Sequence, residues 1–381
     1  MDQQASEHGE EEKSQAMSSK LPSPRREVAR LQSDSHGGPD YAELAALGMG
    51  PEDVLDFSAS TNAFGPPPGV AGALASCDLS RYPDRHAEPL RGALAGYEGV
   101  AAEQVLPANG AAQLIWSIAM AYLSPGDTAA VLGPTFGEYR VASALMGARV
   151  LDLSAEARDG FRPDLPALCE RLAACKPRLA WLCNPNNPTG VYLKEKAVVE
   201  LLAAAQGTLW VIDEAYRPFV CGPWHTLGLA SGTGNVVLLR SLTKDCSVPG
   251  LRLGYALGPE PIIAALYRTL PPWSVSSPAI AAGLAALPGI GRVRDQLADL
   301  RVSAEQLRAE LSAQGWPVLP SATHFFLIEV GEARSVRARL LREHHLQVRD
   351  CTSFGLPQFI RVAARTAEDN ARLCCAMGTL R

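Results

Sequence analysis

The sequence predicts an α/β protein: a mostly parallel sheet covered by helices on both faces, followed by a smaller α+β domain. Three observations carry this reading. Between residues 129 and 257, short apolar runs alternate with helix-length patterns, as parallel strands joined by helical crossovers do. After a long helical stretch at 291–314 the texture changes to shorter elements. Hydrophobic residues make up 47% of the 381 and charged residues 20%, which gives ample material for a core and excludes a wholly disordered chain.

The elements follow in order. Residues 1–35 read as a disordered extension, rich in Glu, Gln, Ser and Lys, with a helix over 26–32. An N-terminal arm spans 36–68, with a helix over 40–47, a turn at Gly48-Met49-Gly50-Pro51 and a strand over 54–57. Pro66-Pro67-Pro68-Gly69 ends the arm. The large domain, 69–274, opens with helices over 69–76, 89–96 and 111–122. Strands over 129–132, 149–153, 179–183 and 209–212 then alternate with helices over 139–146, 165–174 and 194–206. Strands over 236–239 and 254–257 complete it. The small domain, 275–381, has helices over 291–314, 335–344 and 367–377 and strands over 325–330, 347–349 and 359–362. Chemistry in such sheets gathers in loops at the carboxyl ends of the strands.

Composition narrows the function classes. A net charge of −5 gives no basic excess, so no nucleic-acid partner is expected. The 33 glycines and 29 prolines show no three-residue period, which excludes collagen. Nine scattered cysteines without a CxxC pair read as mostly buried reduced thiols, with neither a disulfide framework nor a metal site. No apolar run reaches 18 residues and the N-terminus lacks an apolar signal core, so a cytoplasmic protein without membrane attachment is expected.

Four patterns fall in fixed order after predicted strands: Asn184-Pro185-Asn186-Asn187-Pro188-Thr189-Gly190, Asp213-Glu214-Ala215-Tyr216, Ser241-Leu242-Thr243-Lys244 and Pro249-Gly250-Leu251-Arg252-Leu253-Gly254-Tyr255. Singly, each has an ordinary explanation, such as a helix cap or a surface charge. As an ordered set they closely resemble the pyridoxal-phosphate enzymes of the aspartate-aminotransferase fold. The resemblance covers residues 36–381 and implies a seven-stranded, mostly parallel sheet.

It also implies roles. Lys244 matches the lysine that forms a Schiff base with pyridoxal 5'-phosphate. Asp213 matches the carboxylate that keeps the pyridine nitrogen protonated, and Asn187 and Tyr216 match the donors to the ring oxygen. The cofactor phosphate falls to Arg252, Ser241, Thr243 and the backbone amides of Gly110, Ala111 and Ala112 at a helix N-terminus. Family members often carry Ser or Thr where this chain has Ala111 and Ala112. Phe136 matches an aromatic stacked on the ring. Tyr82 matches a tyrosine reaching the partner subunit's cofactor, which implies a homodimer with shared sites. Arg361 matches the arginine that pairs with a substrate carboxylate.

Within the family two branches fit: threonine-phosphate decarboxylases and histidinol-phosphate aminotransferases. Both take small phosphorylated amino substrates. His36-Gly37-Gly38, the run from Asp56 to Asn62, and Arg349 in Val348–Leu356 resemble the decarboxylases, with His36, Gly37, Asn62, Asn187, Arg349 and Arg361 on the substrate. The expectation is therefore decarboxylation of threonine phosphate to aminopropanol phosphate for cobalamin synthesis. Transamination of histidinol phosphate is the alternative, and decarboxylation of serine phosphate a third reading. The same residues serve all of these, because the outcome depends on which Cα bond stands perpendicular to the cofactor ring. A non-enzymatic regulator of this fold would carry a winged-helix domain ahead of it, and 1–34 is too short for one.

Overall fold

The computed structural model describes residues 22–29, 31, 37–232 and 234–380. Two compact units divide at Ser33/Asp34. The first contributes a four-residue helix, Arg26–Ala29, shorter than the expected 26–32, of which Arg30 and Gln32 lie outside the described residues.

In the second unit, a short strand β1 (Leu55–Asp56) precedes β2 (Val105–Asn109), β3 (Thr128–Gly133), β4 (Arg149–Ser154), β5 (Leu179–Cys183), β6 (Leu209–Asp213), β7 (Val236–Ser241) and β8 (Leu253–Leu257). Strands β2 to β8 form one seven-stranded sheet, in the order β2-β8-β7-β6-β5-β3-β4. Strand β8 runs antiparallel to both its neighbours, and every other pairing is parallel. Every residue of β5, β6 and β8 is buried, which is why these strands read as continuous apolar runs. Two apolar clusters cover the two faces. One is built around Trp210, Ile212 and Leu238, the other around Trp181, Val211 and Leu239.

Strand β2 was not anticipated. Pro107 lacks an amide donor and argues against an internal strand, but β2 lies at the sheet edge, where the missing donor is tolerated. The helix Ser277–Ala286 was also missed. Its run of Ala, Gly, Ile and Leu has no polar face, so it offers no 3.6-residue alternation to read.

A smaller antiparallel sheet follows, of β9 (Phe325–Glu329), β11 (Arg349–Asp350) and β12 (Phe359–Ala363), in the order β11-β12-β9. Between them, β10 (Leu346–Gln347) pairs in parallel with β1. The single strand expected over 347–349 is thus split at Val348, because the chain changes partner there. The long helix Ile290–Ala313 buries Val293, Leu297, Leu300, Ala304, Leu307 and Leu311, a stripe of three- and four-residue steps. Each fully buried leucine in it contributes about 1.5–3 kcal/mol. Four of the nine cysteines are buried, fewer than expected, while Cys221 and Cys375 are exposed.

Candidate active site

Parallel register brings the carboxyl ends of β5, β6 and β7 to one end of the sheet, and with them the loops starting at Asn184, Glu214 and Leu242. Antiparallel β8 begins at that same end, since Gly254 faces Ser241. There too β2 ends and the helix Gly110–Tyr122 starts. In the small sheet, Arg349 and Arg361 are register partners across β11 and β12, so their side chains share a face. All these segments line a cavity of about 490 Å³.

Of the expected residues, Gly37, Ala111, Ala112, Phe136, Asn187, Asp213, Tyr216, Ser241, Thr243, Lys244, Arg252, Arg349 and Arg361 line that cavity. Gly110 stands behind its wall. It has φ +75, and a Cβ on it would come within 2.9 Å of the Arg252 guanidinium. Asn62 does not line the cavity. Its Nδ2 donates to the Asp245 carbonyl oxygen at 3.0 Å and to Gln296 Oε1 at 3.1 Å, so it braces the segment carrying Lys244. Tyr82 is 80% exposed and stacks on Trp273 at 4.6 Å, outside its own chain's cavity. His36 lies outside the described residues.

Asp213 is the buried carboxyl group of the site. Its Oδ2 accepts from the Tyr139 hydroxyl at 2.7 Å and its Oδ1 from the Ala215 amide at 2.9 Å. Burial raises its pKa, and these two hydrogen bonds and the charge of Lys244 oppose the rise. Tyr139 was not among the expected residues. It lies three positions after Phe136, meets that ring edge-on at 5.7 Å, and stacks on Trp181 at 5.2 Å. Burial, then the charge of Asp213, pushes its hydroxyl pKa upward, so it stays a donor.

Lys244 sits in a one-turn helix, Leu242–Asp245, capped by Ser241, whose Oγ accepts from the Thr243 amide at 3.1 Å. The Lys244 amine is half-buried and has no hydrogen bond or ion pair among the described residues. Thr243 Oγ1 donates to the Leu253 carbonyl oxygen at 3.1 Å, so its proton is committed elsewhere. The neighbouring Asp245 carboxyl is buried, and burial raises its pKa to about 7.

Arg361 is 4% exposed. Its guanidinium donates to Asn187 Oδ1 and, at 2.6 Å, to the Ser58 carbonyl oxygen, and it lies over the Phe325 ring at 5.3 Å. Its Nε is buried without a partner, and no carboxylate pairs with it among the described residues. Arg349 donates to Ser353 Oγ at 2.6 Å and lies over Phe354. Ser60, a further lining residue, keeps a buried hydroxyl without a partner. A buried cation without a counter-ion is costly unless an anion arrives to complete it.

The family model for class I and II aminotransferases matches residues 52–377. The chain belongs to this family. A histidinol-phosphate aminotransferase of Symbiobacterium thermophilum is 36% identical over 94% of this chain and 98% of that protein. A histidinol-phosphate aminotransferase of Sinorhizobium meliloti, solved with pyridoxal 5'-phosphate, superposes with a TM-score of 0.84 at 22% identity, covering 94% and 98% of the two chains. The L-threonine-O-3-phosphate decarboxylase of Porphyromonas gingivalis gives 0.76 at 25% identity over 85% and 98%. These matches correct the expected decarboxylation. The same aminotransferase name recurs among the chain's curated relatives, whereas the threonine-phosphate decarboxylase is a structural neighbour of lower TM-score. The His-Gly-Gly arm and the Arg349 segment do not separate the two branches, since the names of both carry a phosphorylated amine.

As a member of this aminotransferase family, the protein uses pyridoxal 5'-phosphate. The cavity fits that group. Among the described residues, an amine without a hydrogen-bond or ion-pair partner stands near a buried carboxyl that lacks a cationic hydrogen-bond donor, and Gly110 leaves room against Arg252.

Proposed function

We propose that the protein is a cytoplasmic, homodimeric aminotransferase that moves the amino group of a phosphorylated amine of the histidinol-phosphate type to a 2-oxo dicarboxylic acid. One observation carries the reading: the buried, incompletely bonded Arg361, aligned with Arg349 at the cavity wall supplied by the small sheet. A guanidinium fork so held suits the phosphate of the amine in one half-reaction and a carboxylate of the oxo acid in the other. The curated relatives' shared name favours the same class of substrate.

Bound in the cavity, pyridoxal phosphate supplies an electron sink for charge developing at the substrate Cα. Asp213, held by Tyr139 and Ala215, would keep the ring nitrogen's proton in place. Asn187 and Tyr216 would donate to the ring oxygen and Phe136 would cover a ring face. Arg252, Ser241 and the Ala111 and Ala112 amides would hold the phosphate, with Gly110 permitting the approach and Thr243 tying the turn to the Leu253 carbonyl oxygen. Lys244 Nζ would take the proton from the substrate Cα and deliver it again when the amino group moves. Gly37 would close the substrate end. The exposed Tyr82–Trp273 stack fits burial against a second copy, and with it a site shared between subunits.

The test is incubation with histidinol phosphate, with and without 2-oxoglutarate. Glutamate is expected to form only with the keto acid, and Lys244→Ala should lower the rate by about 10²–10⁴-fold or more. Carbon dioxide release from a phosphorylated amino acid without keto acid would overturn the reading.

A further inference from the structure

Adjoining the site is a buried set of charges that line none of the cavity and that the reaction does not use. Successive side chains of a strand point to opposite faces. Asp213 and Ser241 line the cavity, while their chain neighbours Glu214 and Arg240 do not. Arg240 Nε pairs with Glu214 Oε2 at 3.0 Å, and Arg240 Nη1 pairs with Glu98 Oε2. The Tyr255 hydroxyl donates to Glu98 Oε1 at 2.5 Å, and Arg217 Nε lies 3.6 Å from Glu214 Oε1. The side chains of Glu214, Glu98 and Arg240 are only 1%, 5% and 13% exposed.

Ion pairs this deeply buried add little net stability over apolar residues of equal volume, because desolvation offsets their attraction. What they fix is registry. Glu214 lies in the loop between Asp213 and Tyr216. Arg240 immediately precedes the Ser241–Lys244 segment. Tyr255 follows Gly254, where a Cβ would come within 2.6 Å of the Ala111 amide. One network therefore ties together the segments that supply the buried carboxylate, the lysine and the start of the helix at Gly110.

We propose that Arg240, acting through Glu214 and Glu98, is a positioning residue for the cofactor, setting the separation between Asp213 and the Ser241–Lys244 segment. Arg240→Lys keeps the charge and loses the fork that bridges two carboxylates. Apoprotein titrated with pyridoxal phosphate is expected to bind about tenfold more weakly in this variant. The pH midpoint of the visible absorbance of the loaded protein should shift by about half a unit or more, since Asp213 and Lys244 are displaced relative to each other. Melting temperatures of the same samples report any loss of fold. A folded Arg240→Lys with wild-type affinity and wild-type midpoint would overturn the proposal and leave the network a purely structural element. If Arg240→Lys does not fold, Tyr255→Phe carries the same test by deleting only the hydroxyl on Glu98. A moved midpoint or affinity then supports the proposal, and unchanged values of both overturn it. Wild-type protein that binds no pyridoxal phosphate would instead remove the cofactor assignment.

Discussion

The two cationic ends of the cavity are built in opposite ways. Arg252 is exposed, adopts φ +53, and makes one long hydrogen bond of 3.4 Å to the Pro249 carbonyl oxygen. Arg361 is 4% exposed, gives hydrogen bonds to Asn187 and Ser58, and keeps one buried N–H unmet. An exposed cation is screened by water and salt and contributes modestly alone. A buried, pre-oriented fork discriminates by geometry, since a misplaced anion leaves its donors unsatisfied. The first end thus suits an anchor made of many shared contacts, and the second suits selection by one side chain.

Arg361→Lys should break the contrast most sharply. It keeps the charge but loses the fork, and two charge-assisted hydrogen bonds at about 1.5–3 kcal/mol each correspond to a fall of roughly 10²-fold or more in kcat/KM. Cofactor affinity should stay within about threefold of wild type, because this end is proposed to take the substrate and not the cofactor. Steady-state kinetics together with cofactor titration check both halves. An equal loss in both would mean that the two ends are not separate.

Acid offers a second test of the buried end. His324 is fully buried, stacks on Phe219 at 4.0 Å, and has no hydrogen-bond partner on either ring nitrogen among the described residues. Burial first, then the charges of Arg361 and Lys244, lowers its pKa to about 3. The unfolded chain therefore binds the proton more readily than the folded one below about pH 6.5. The stability from keeping this ring neutral is complete above pH 6.5 and is lost as pH falls toward 3. Between pH 7 and pH 4 wild-type apoprotein should lose about 2–4 kcal/mol that His324→Leu does not lose, as read from denaturant midpoints. Parallel acid profiles would show that His324 is not held neutral.

At the open end the effects are smaller. Arg252→Met should weaken cofactor binding by about tenfold, the worth of one charge-assisted contact partly screened by solvent. The difference from wild type should narrow as salt is raised from 0.05 to about 0.5 M, and apoprotein melting should hardly change. A salt-independent loss would mean that the arginine acts by shaping the turn before β8 and not by its charge.

Much of this contrast was legible in the sequence, for a physical reason. Fully buried parallel strands leave unbroken apolar runs, so β5 was located to the residue and β6 to within one. Loops at their carboxyl ends carry the chemistry, so ordered motifs there located Asn187, Asp213, Lys244 and Arg252 together in one cavity. What stayed hidden depends on partners distant in the chain. Asn62 reads as a binding residue until its amide is seen committed to Asp245 and Gln296. Tyr139 acquires meaning from Asp213, 74 positions away, and Arg240 from Glu214 and Glu98, 26 and 142 positions away. Edge strand β2 was masked by Pro107, because a sequence does not announce which strand lies at an edge.

The smallest expected effect bears on the open end most directly, because it adds a contact instead of removing one. The helix Gly110–Tyr122 begins at the cavity with Ala111 and Ala112, whose backbone N–H groups have no partner within a first helical turn. An anion at this helix start would meet backbone donors, Ser241 and Arg252. Ala111→Ser and Ala112→Ser each supply one hydroxyl at the site of an intended anion. Whichever serine reaches the phosphate should tighten cofactor binding by about 0.5–1.5 kcal/mol, or roughly two- to tenfold. The lower helix propensity of serine takes back at most about half a kcal/mol, and less in the first turn, where serine suits the helix start. Neither variant should change the substrate terms proposed for Arg361. If both leave cofactor affinity at the wild-type value, the phosphate does not sit at this helix N-terminus, and the open end needs another occupant.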